Sequence, residues 1–272
     1  MLSLQKHHIT DLYVWVDELL PKESNPLGGR PSILSDSELV TILLWNTIMV
    51  KQKTIRDIYK FINDYHKEEF PRLPTYSSFV KHCNRTIPLL LWLLERLLKT
   101  REQVRFMDST MVEVCKLVRA NSHKVAKNIA KFGKNHQGWH YGFKLHASIS
   151  HKGQLCGLAL TPADVYDAQM MPKILNKNTK IAVGDSHYGA KVMRKRIFEE
   201  YGTIIVAPPH FTQRKKVLTW WQDMLLKMRP KIESVFGYLK ERLNLVSSFP
   251  RSVKGYLFHY LRILLSYQVM VV

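Results

Sequence analysis

The stretch VRFMDSTMVEV, residues 104–114, marks the point at which the sequence changes from a helical to a strand pattern. Apolar and β-branched residues dominate this stretch, and such runs favour an extended strand. Residues 140–150 and 155–160 have the same character, and His151-Lys152-Gly153 lies between them as the turn of a predicted hairpin. The middle of the chain is therefore predicted to begin with three consecutive strands.

Strand and helix patterns alternate in the part of the chain that follows. Two short, mostly β-branched runs suit central strands of a sheet, and three stretches have a helical pattern. In chain order these segments cover residues 167–175, 180–184, 190–201, 203–207 and about 230–245. Three strands followed by alternating helices and strands predict an α/β sheet domain over residues 101–272.

The first hundred residues have a helical pattern instead. Ser35 and Glu38 have the spacing of a capping box, and Thr54 can cap a helix whose apolar residues recur every three or four positions. We therefore predict an all-helical domain over residues 1–100. Basic residues near the helix junctions suggest a helix-turn-helix-like DNA reader, with a plain helical bundle as the alternative. These residues are Lys51, Lys53, Arg56, Lys81 and Arg85.

Positive charge is concentrated in the second part of the chain. The 272 residues include 41 Lys and Arg against 22 Asp and Glu, a formal net charge of +19. Residues 1–100 hold 13 and 11 of these, whereas residues 101–272 hold 28 and 11. A domain this basic repels itself unless something anionic compensates the charge. Nucleic acid is the favoured partner, and an anionic membrane surface or an inert basic surface is the alternative.

Composition excludes several other classes of protein. Apolar residues at 46% and charged residues at 23% exclude a disordered chain, a collagen-like repeat and a small disulfide scaffold. Cys83, Cys115 and Cys156 are far apart and form no C-x-x-C, so they indicate neither a disulfide framework nor a zinc site. We find no signal peptide, and the longest apolar runs fall short of the roughly 20 residues of a membrane span. We expect a soluble cytoplasmic protein without a membrane partner.

Two aspartates stand out because acidic residues are scarce in the basic part of the chain. Asp108 lies inside an apolar strand, where a charge is unfavourable unless it is paired or coordinated. Asp185 directly follows a short strand, and open α/β sheets build their sites at the carboxyl ends of strands. Glu113 is five residues from Asp108 and is predicted to face the opposite side of the strand. Asp164 and Asp167 are interpreted as loop and helix-capping residues.

The last predicted helix offers a third carboxylate. Its apolar residues recur at helical spacing and form a buried face. Arg229, Glu233 and Lys240 fall within about 40° of one another in helical projection, at the edge of that face. From this position Glu233 could point over the sheet toward the two aspartates. Taken alone, a glutamate in this position is more often just an i,i+4 partner of Arg229 or a solvated residue.

Three carboxylates in a basic domain suit a cation site. Without cations, like charges raise one another's pKa and resist full ionisation. We predict that Asp108, Asp185 and Glu233 hold two Mg²⁺ ions, for which Mn²⁺ can substitute, about 3.5–4 Å apart. One ion would activate a water or a 3′-hydroxyl, and the other would stabilise the leaving oxygen of a phosphodiester.

The residues between the two aspartates supply positive charge for a polyanion. From Cys115 to Ala163 there is no Asp or Glu, whereas eight Lys and Arg occur. Phosphate contacts need uncompensated charge of this kind, and a further basic cluster lies nearer the C-terminus. The predicted DNA-binding residues are Lys124, Lys127, Lys131, Lys134, Lys144, Arg214, Lys215 and Lys216.

The late helix carries the most specific likeness to a known family. Asp108, Asp185 and Glu233 resemble the catalytic residues of the DDE transposases of bacterial insertion sequences. That superfamily has a Y-x-x-R-x-x-x-E-x-x-x-x-x-x-K signature, of which Arg229, Glu233 and Lys240 match three positions. Leu226 occupies the tyrosine position and departs from the signature.

Blocks of sequence outside that helix support the same resemblance. FMDST at 106–110, HYGFK at 140–144 and GDSHYG at 184–189 are similar to blocks in these enzymes. The stretch Pro74–Arg85 resembles the insertion-sequence family 982 type in particular. The resemblance covers most of the chain, above all residues 101–262.

The resemblance implies a fold, an activity and partners. It implies an RNase H-like catalytic domain, a mixed sheet flanked by helices, preceded by the helical DNA-binding domain. The activity would be that of a metal-dependent DNA transposase, which cuts insertion-sequence ends and joins their 3′-hydroxyls to target DNA. Arg229 and Lys240 would then support the site near substrate phosphate or the Glu233 carboxylate.

The implied partner is double-stranded DNA, in the form of the element's terminal inverted repeats and the target, bound by a homodimer at the bacterial nucleoid. Two alternatives stay open at this point. One is a metal-dependent nuclease of the same fold without strand transfer, and the other is a catalytically inactive DNA-binding relic.

Overall fold

The computed structural model describes residues 8–21, 32–209 and 217–272. These ranges contain ten α-helices and six β-strands, together with short 3₁₀ segments and two π-helical turns. In chain order the helices and strands are α1 (Ile9–Leu19), α2 (Asp36–Trp45), α3 (Ile55–Tyr65), α4 (Tyr76–Arg85), α5 (Ile87–Leu97), β1 (Val104–Glu113), β2 (Lys131–Asn135), β3 (Gly138–Ile149), β4 (Leu155–Pro162), α6 (Met171–Ile174), β5 (Ile181–Val183), α7 (Lys191–Tyr201), β6 (Ile204–Val206), α8 (Trp220–Lys227), α9 (Pro230–Gly237) and α10 (Val253–Val271). The 3₁₀ segments are Leu117–Ser122, Asp167–Met170 and Ser186–Gly189, and the π-helical turns are Asn46–Val50 and Tyr238–Arg242.

These elements form two compact units, a helical unit and a unit that contains the sheet. In order, the first comprises the described residues of Met1–Arg96, Arg242–Asn244 and Phe249–Met270, and the second those of Leu97–Glu241, Leu245–Ser248 and Val271–Val272. We predicted a division near residue 100 and one domain from there to residue 272. The structure differs at the C-terminus, where α10 belongs to the helical unit.

Helix α10 is mostly buried and belongs to the helical unit, to which its Arg262 is hydrogen-bonded. The buried Arg262 donates hydrogen bonds to Oγ1 of Thr47 at 2.6 Å and to the backbone oxygens of Gln52 and Lys53 at 3.4 and 3.3 Å. Burial lowers the pKa of Arg262 to about 10, so the guanidinium remains charged at pH 7. Apolar residues occur on all sides of α10. This pattern predicts a buried helix, but it does not indicate which unit buries the helix. Within the described ranges, neither α10 nor any other helix is long and apolar enough to cross a bilayer.

The six described strands form one mixed sheet. Strand β1 lies between β3, which is antiparallel to it, and β5, which is parallel to it. Strand β6 continues the parallel side, whereas β2 and β4 both pair antiparallel with β3. Helix α9 packs against β1 and α7 packs against β6. This order of antiparallel and parallel strands with flanking helices confirms the predicted RNase H-like α/β fold.

Most predicted elements match the structure; one strand that was not predicted and one predicted helix that differs have identifiable reasons. Strand β2 was not predicted because KFGKN is polar and contains Gly133, a residue that weakens strand propensity. The strand exists through its pairing with Gly138–Gly142 of β3, and a Cβ at Gly133 would lie only 2.4 Å from the Ala163 oxygen. The last predicted helix, 230–245, ends as an α-helix at Gly237 and continues as a π-helical turn to Arg242.

The helical unit begins its second helix as the sequence predicted. The Ser35 hydroxyl accepts a hydrogen bond from the Glu38 N–H at 3.1 Å, and the Ser35 N–H donates to Glu38 Oε2 at 2.6 Å. Thr54 caps α3 by accepting from the Asp57 N–H at 3.1 Å. Both caps satisfy backbone donors that a helix leaves free at its first turn. The DNA-reading role of these helices stays a prediction.

Candidate active site

The sheet brings Asp108 and Asp185 together through strand register. Parallel strands β1 and β5 pair Val104 with Ile181 and Phe106 with Val183. Asp108 lies two residues beyond Phe106 in β1, and Asp185 lies two residues beyond Val183, just after the end of β5. Because neighbouring strands are about 4.8 Å apart, continuing this register brings the two carboxylates near each other. The negative charge of Asp185 indeed raises the pKa of Asp108.

Local geometry fixes the orientation of Asp185. Its Oδ1 accepts a hydrogen bond from the His187 N–H at 2.9 Å, which caps the 3₁₀ segment after β5. Gly184 precedes it, and a Cβ there would lie 2.7 Å from a ring carbon of the buried Tyr188. Glycine therefore lets the tyrosine ring pack beneath the end of the strand and direct the chain into the turn.

Asp108 lies in a poorly solvated position with protein donors on both carboxylate oxygens. The Ser109 N–H donates to Oδ1 at 2.8 Å, and Nη2 of Arg229 donates to Oδ2 at 2.9 Å. Burial is the main cause that raises the pKa of Asp108, and Asp185 adds to the shift. Arg229 and the Ser109 N–H oppose it. The site thus holds a carboxylate that positive charge stabilises.

Helix α9 places Arg229 and Glu233 beside Asp108. Its apolar residues Ile232, Val235 and Phe236 are buried, and the helix packs on β1. Nη2 of Arg229 lies 3.5 Å from Oε1 of Glu233 as well as 2.9 Å from Asp108, so the guanidinium bridges the two carboxylates. The Glu233 side chain is 58% exposed, in contrast to 15% for Asp108.

One open cavity of about 750 Å³ collects all five residues that the sequence singled out as catalytic or supporting. They are Asp108, Asp185, Arg229, Glu233 and Lys240. Burial lowers the pKa of Lys240, while the charge of Glu113 opposes that shift. The cavity therefore combines three carboxylates with two cationic side chains.

The donor set suits a hard divalent cation, because Mg²⁺ and Mn²⁺ prefer carboxylate oxygens. Asp108 adds a specific reason, since a buried carboxylate beside a second carboxylate is stabilised by a cation. Among the described residues, however, no three His, Cys, Asp or Glu side chains converge closely enough to bind one ion. Arg229 lies between Asp108 and Glu233 in this structure and is their counter-ion.

A second group of polar residues in the cavity was missed by the sequence reasoning. Asp167 was interpreted as a capping residue, yet it lines the cavity and accepts a hydrogen bond from Oγ of Ser109 at 2.9 Å. Its Oδ1 also lies 3.1 Å from Nζ of Lys144 and 3.5 Å from Nδ1 of His146. Burial lowers the pKa of His146 to about 4, so its ring is neutral at pH 7. The alternation of Lys144 and His146 on one strand was the available signal, since both face the same side.

The predicted DNA-binding residues occupy different environments. Lys124, Lys127, Lys131 and Lys134 are exposed, and Lys134 also lines the cavity. Lys144 differs, because its side chain is only 12% exposed and is held inside the cavity. The remaining three predicted residues lie outside the described ranges, namely Arg214, Lys215 and Lys216.

Comparison with known proteins bears on the whole sheet-containing unit. A search of curated proteins gives no match. The family model described as "Transposase DDE domain" matches residues 99–253, a range that covers more than half of the chain and includes Asp108, Asp185, Glu233 and Lys240. The chain therefore belongs to the DDE transposase family.

Proposed function

We propose that this transposase cuts the ends of an insertion sequence and joins their 3′-hydroxyls to target DNA. One observation carries the proposal: Asp108, Asp185 and Glu233 all line the same cavity. The family makes DNA the substrate. The blocks at 106–110, 140–144 and 184–189, together with Pro74–Arg85, support an element of the family 982 type.

In this proposal Asp108, Asp185 and Glu233 hold two Mg²⁺ or Mn²⁺ ions. When bound, such ions activate a water or 3′-hydroxyl nucleophile and stabilise the leaving oxygen of a phosphodiester. Arg229 and Lys240 then bind substrate phosphate from the same cavity. In this structure Arg229 neutralises the carboxylates of Asp108 and Glu233, and with metal ions at those carboxylates its guanidinium would be available for phosphate.

The charge of the described residues supports a path for DNA into this cavity. Lys134 lines it from the β2–β3 hairpin, and exposed lysines at 124, 127 and 131 precede it in a stretch without acidic residues. We propose that the protein acts as a homodimer and binds the element's terminal repeats and target DNA through this surface. In this proposal the N-terminal helical unit is a DNA reader. Cytoplasmic action at the nucleoid follows from this function.

Cleavage and joining of labelled DNA test the proposal. The substrate is a duplex that carries the inverted repeats flanking the coding frame, incubated with the protein, target plasmid and Mg²⁺ or Mn²⁺. We expect products cut at the repeat end and products joined to the plasmid, both lost in EDTA. Cut products without joined products would support a nuclease instead. Binding without any cut product would indicate an inactive relic.

Salt dependence tests the proposed role of the basic surface in DNA binding. If backbone phosphates supply most of the affinity, the logarithm of the binding constant falls linearly with the logarithm of salt concentration. We expect a slope of several units, measured by fluorescence anisotropy between about 50 and 200 mM KCl. A flat response would contradict the assignment of the lysine-rich surface to DNA.

A further inference from the structure

Lys144 has surroundings that a surface DNA-binding lysine does not need. Its Nζ donates a hydrogen bond to the Val165 backbone oxygen at 2.8 Å and lies 3.1 Å from Oδ1 of Asp167. An ammonium group has three N–H donors, so one donor has no acceptor among the described residues. The side chain lines the cavity that contains Asp108, Asp185 and Glu233. Lys144 therefore presents a fixed positive charge and a free donor to that cavity.

Asp167 is the residue that holds this ammonium in place. The same oxygen that approaches Lys144 accepts a hydrogen bond from Ser109 Oγ at 2.9 Å. His146 is fully buried behind it, with Nδ1 at 3.5 Å from Asp167 and Nε2 at 2.9 Å from Oγ1 of Thr161. A carboxylate supported from two sides in this way has little freedom to move. Its position fixes the position of the lysine.

Ser109 joins this cluster to the carboxylate pair. Its backbone N–H donates to Asp108 at 2.8 Å, while its hydroxyl donates to Asp167 at 2.9 Å. Lys144 lies opposite Met111 in the pairing of β1 with β3, so two adjacent strands carry both groups. Ser109 thus connects the Asp108 carboxylate, through its backbone, with the Asp167 carboxylate that pairs with Lys144.

We propose that Lys144 binds a backbone phosphate of the DNA beside the carboxylate triad, and that Asp167 is its positioning residue. The proposal rests on the proposed function, because it assumes that DNA enters this cavity. Lysine binds phosphate through a compact ammonium group at the end of a flexible side chain. Without a charged partner on the protein, that side chain would remain mobile. Ion pairing with Asp167 localises the charge, and the third donor remains for the phosphate.

A role for Asp167 as a further metal ligand is the competing interpretation. Lys144 at 3.1 Å already compensates the charge of that carboxylate. The Ser109 hydroxyl also occupies the same oxygen. Both contacts favour a positioning role over a ligand role.

Binding of DNA without metal tests the role of Lys144. The probe is the element-end duplex in EDTA, and the variants are Lys144→Met, Lys144→Arg and Lys177→Met, of which Lys177 is an exposed lysine that does not line the cavity. We expect Lys144→Met to lose roughly tenfold in affinity and to lower the salt slope by about one unit. Lys144→Arg should keep the slope, and Lys177→Met should change neither quantity. An unchanged slope for Lys144→Met, or an equal loss for Lys177→Met, would overturn the proposal.

A double-mutant cycle tests the role of Asp167. We expect Asp167→Asn to weaken DNA binding severalfold in the wild-type background and to have almost no effect in the Lys144→Met background, because it acts through the lysine. Equal losses in both backgrounds would overturn the positioning role. Should Asp167→Asn fail to fold by circular dichroism, Ser109→Ala replaces it in the cycle, since it removes one donor to Asp167 and no charge.

The outcome is separable from that of the proposed function. Binding is measured in EDTA, where no cleavage occurs, so a protein that fails to cut DNA can still reveal the phosphate contact. Conversely, normal cutting and joining by wild type together with an unchanged salt slope for Lys144→Met would preserve the transposase and reject this inference.

Discussion

Asp108→Asn is expected to lose DNA cleavage by roughly 10³-fold or more while binding DNA as tightly as wild type. The substitution keeps the size of the side chain and removes the charge that a divalent cation needs. A metal ligand of this kind contributes several kcal/mol to stabilisation of the transition state, and each 1.36 kcal/mol is about tenfold in rate. Cleavage of the labelled element-end duplex in Mg²⁺ measures the loss, and binding in EDTA measures the affinity.

A matched substitution distinguishes a catalytic carboxylate from a general charge effect. Asp164 is exposed, lies in the loop after β4 and does not line the cavity. Asp164→Asn changes the net charge by the same amount, and we expect normal cleavage from it. Stability provides a second control, because Asp108 has a raised pKa and its neutral amide replacement removes an unfavourable buried charge. The melting temperature of Asp108→Asn should therefore equal or exceed that of wild type, and a large drop would reassign Asp108 to a structural role.

The sequence was sufficient to assign Asp108 to one strand and Asp185 to the end of another. Each strand can be recognised from a short run of apolar residues, which is a local signal. That the two aspartates line one cavity depends on backbone pairing between residues 77 positions apart, as in Phe106 with Val183. No local pattern encodes such a pairing. What made the grouping predictable was the scarcity of acidic residues in a basic domain, which leaves few candidates for one site.

The place of Asp167 in the cavity could not be predicted from the residues near it in the sequence. Asp167 begins a 3₁₀ segment, so a capping interpretation agreed with everything near it in the sequence. Its contacts are with Ser109, Lys144 and His146, which are between 21 and 58 residues away. Lys144 was assigned to DNA binding from charge alone, and charge does not distinguish an exposed lysine from one held inside a cavity. Only tertiary packing makes that distinction.

The three carboxylates of the site are held to different degrees, and this has a physical consequence. Asp108 lies on β1 and Asp185 just after β5, and both accept hydrogen bonds from backbone N–H groups. Glu233 lies on α9, is more exposed and has Arg229 as its close partner. The charge of Arg229 therefore controls how two of the three carboxylates interact before any cation arrives.

Arg229→Met is expected to bind Mn²⁺ about tenfold more tightly than wild type and yet to be less stable without metal. The guanidinium lies 2.9 Å from Asp108, where its positive charge repels an incoming cation and its N–H group occupies a carboxylate oxygen that the cation needs. The substitution removes both effects. The same removal leaves the buried Asp108 carboxylate unpaired, at an expected loss of about 1–3 kcal/mol in the free energy of unfolding. Thermal unfolding with and without Mn²⁺ at pH 7 measures both effects, since a ligand stabilises only the state that binds it.

The direction of the pH dependence gives an independent check on the cause. The pKa of Asp108 is already raised, and loss of Arg229 should raise it further. A carboxyl whose pKa is higher in the folded than in the unfolded protein makes the folded state bind more protons, so stability falls as pH rises through that interval. The stability deficit of Arg229→Met should therefore shrink as the pH is lowered toward about 4. Arg194→Met, at an exposed arginine of α7 outside the cavity, should change neither Mn²⁺ affinity nor this profile. Weaker Mn²⁺ binding by Arg229→Met would mean that the guanidinium helps to build the cation site rather than competing for its ligands.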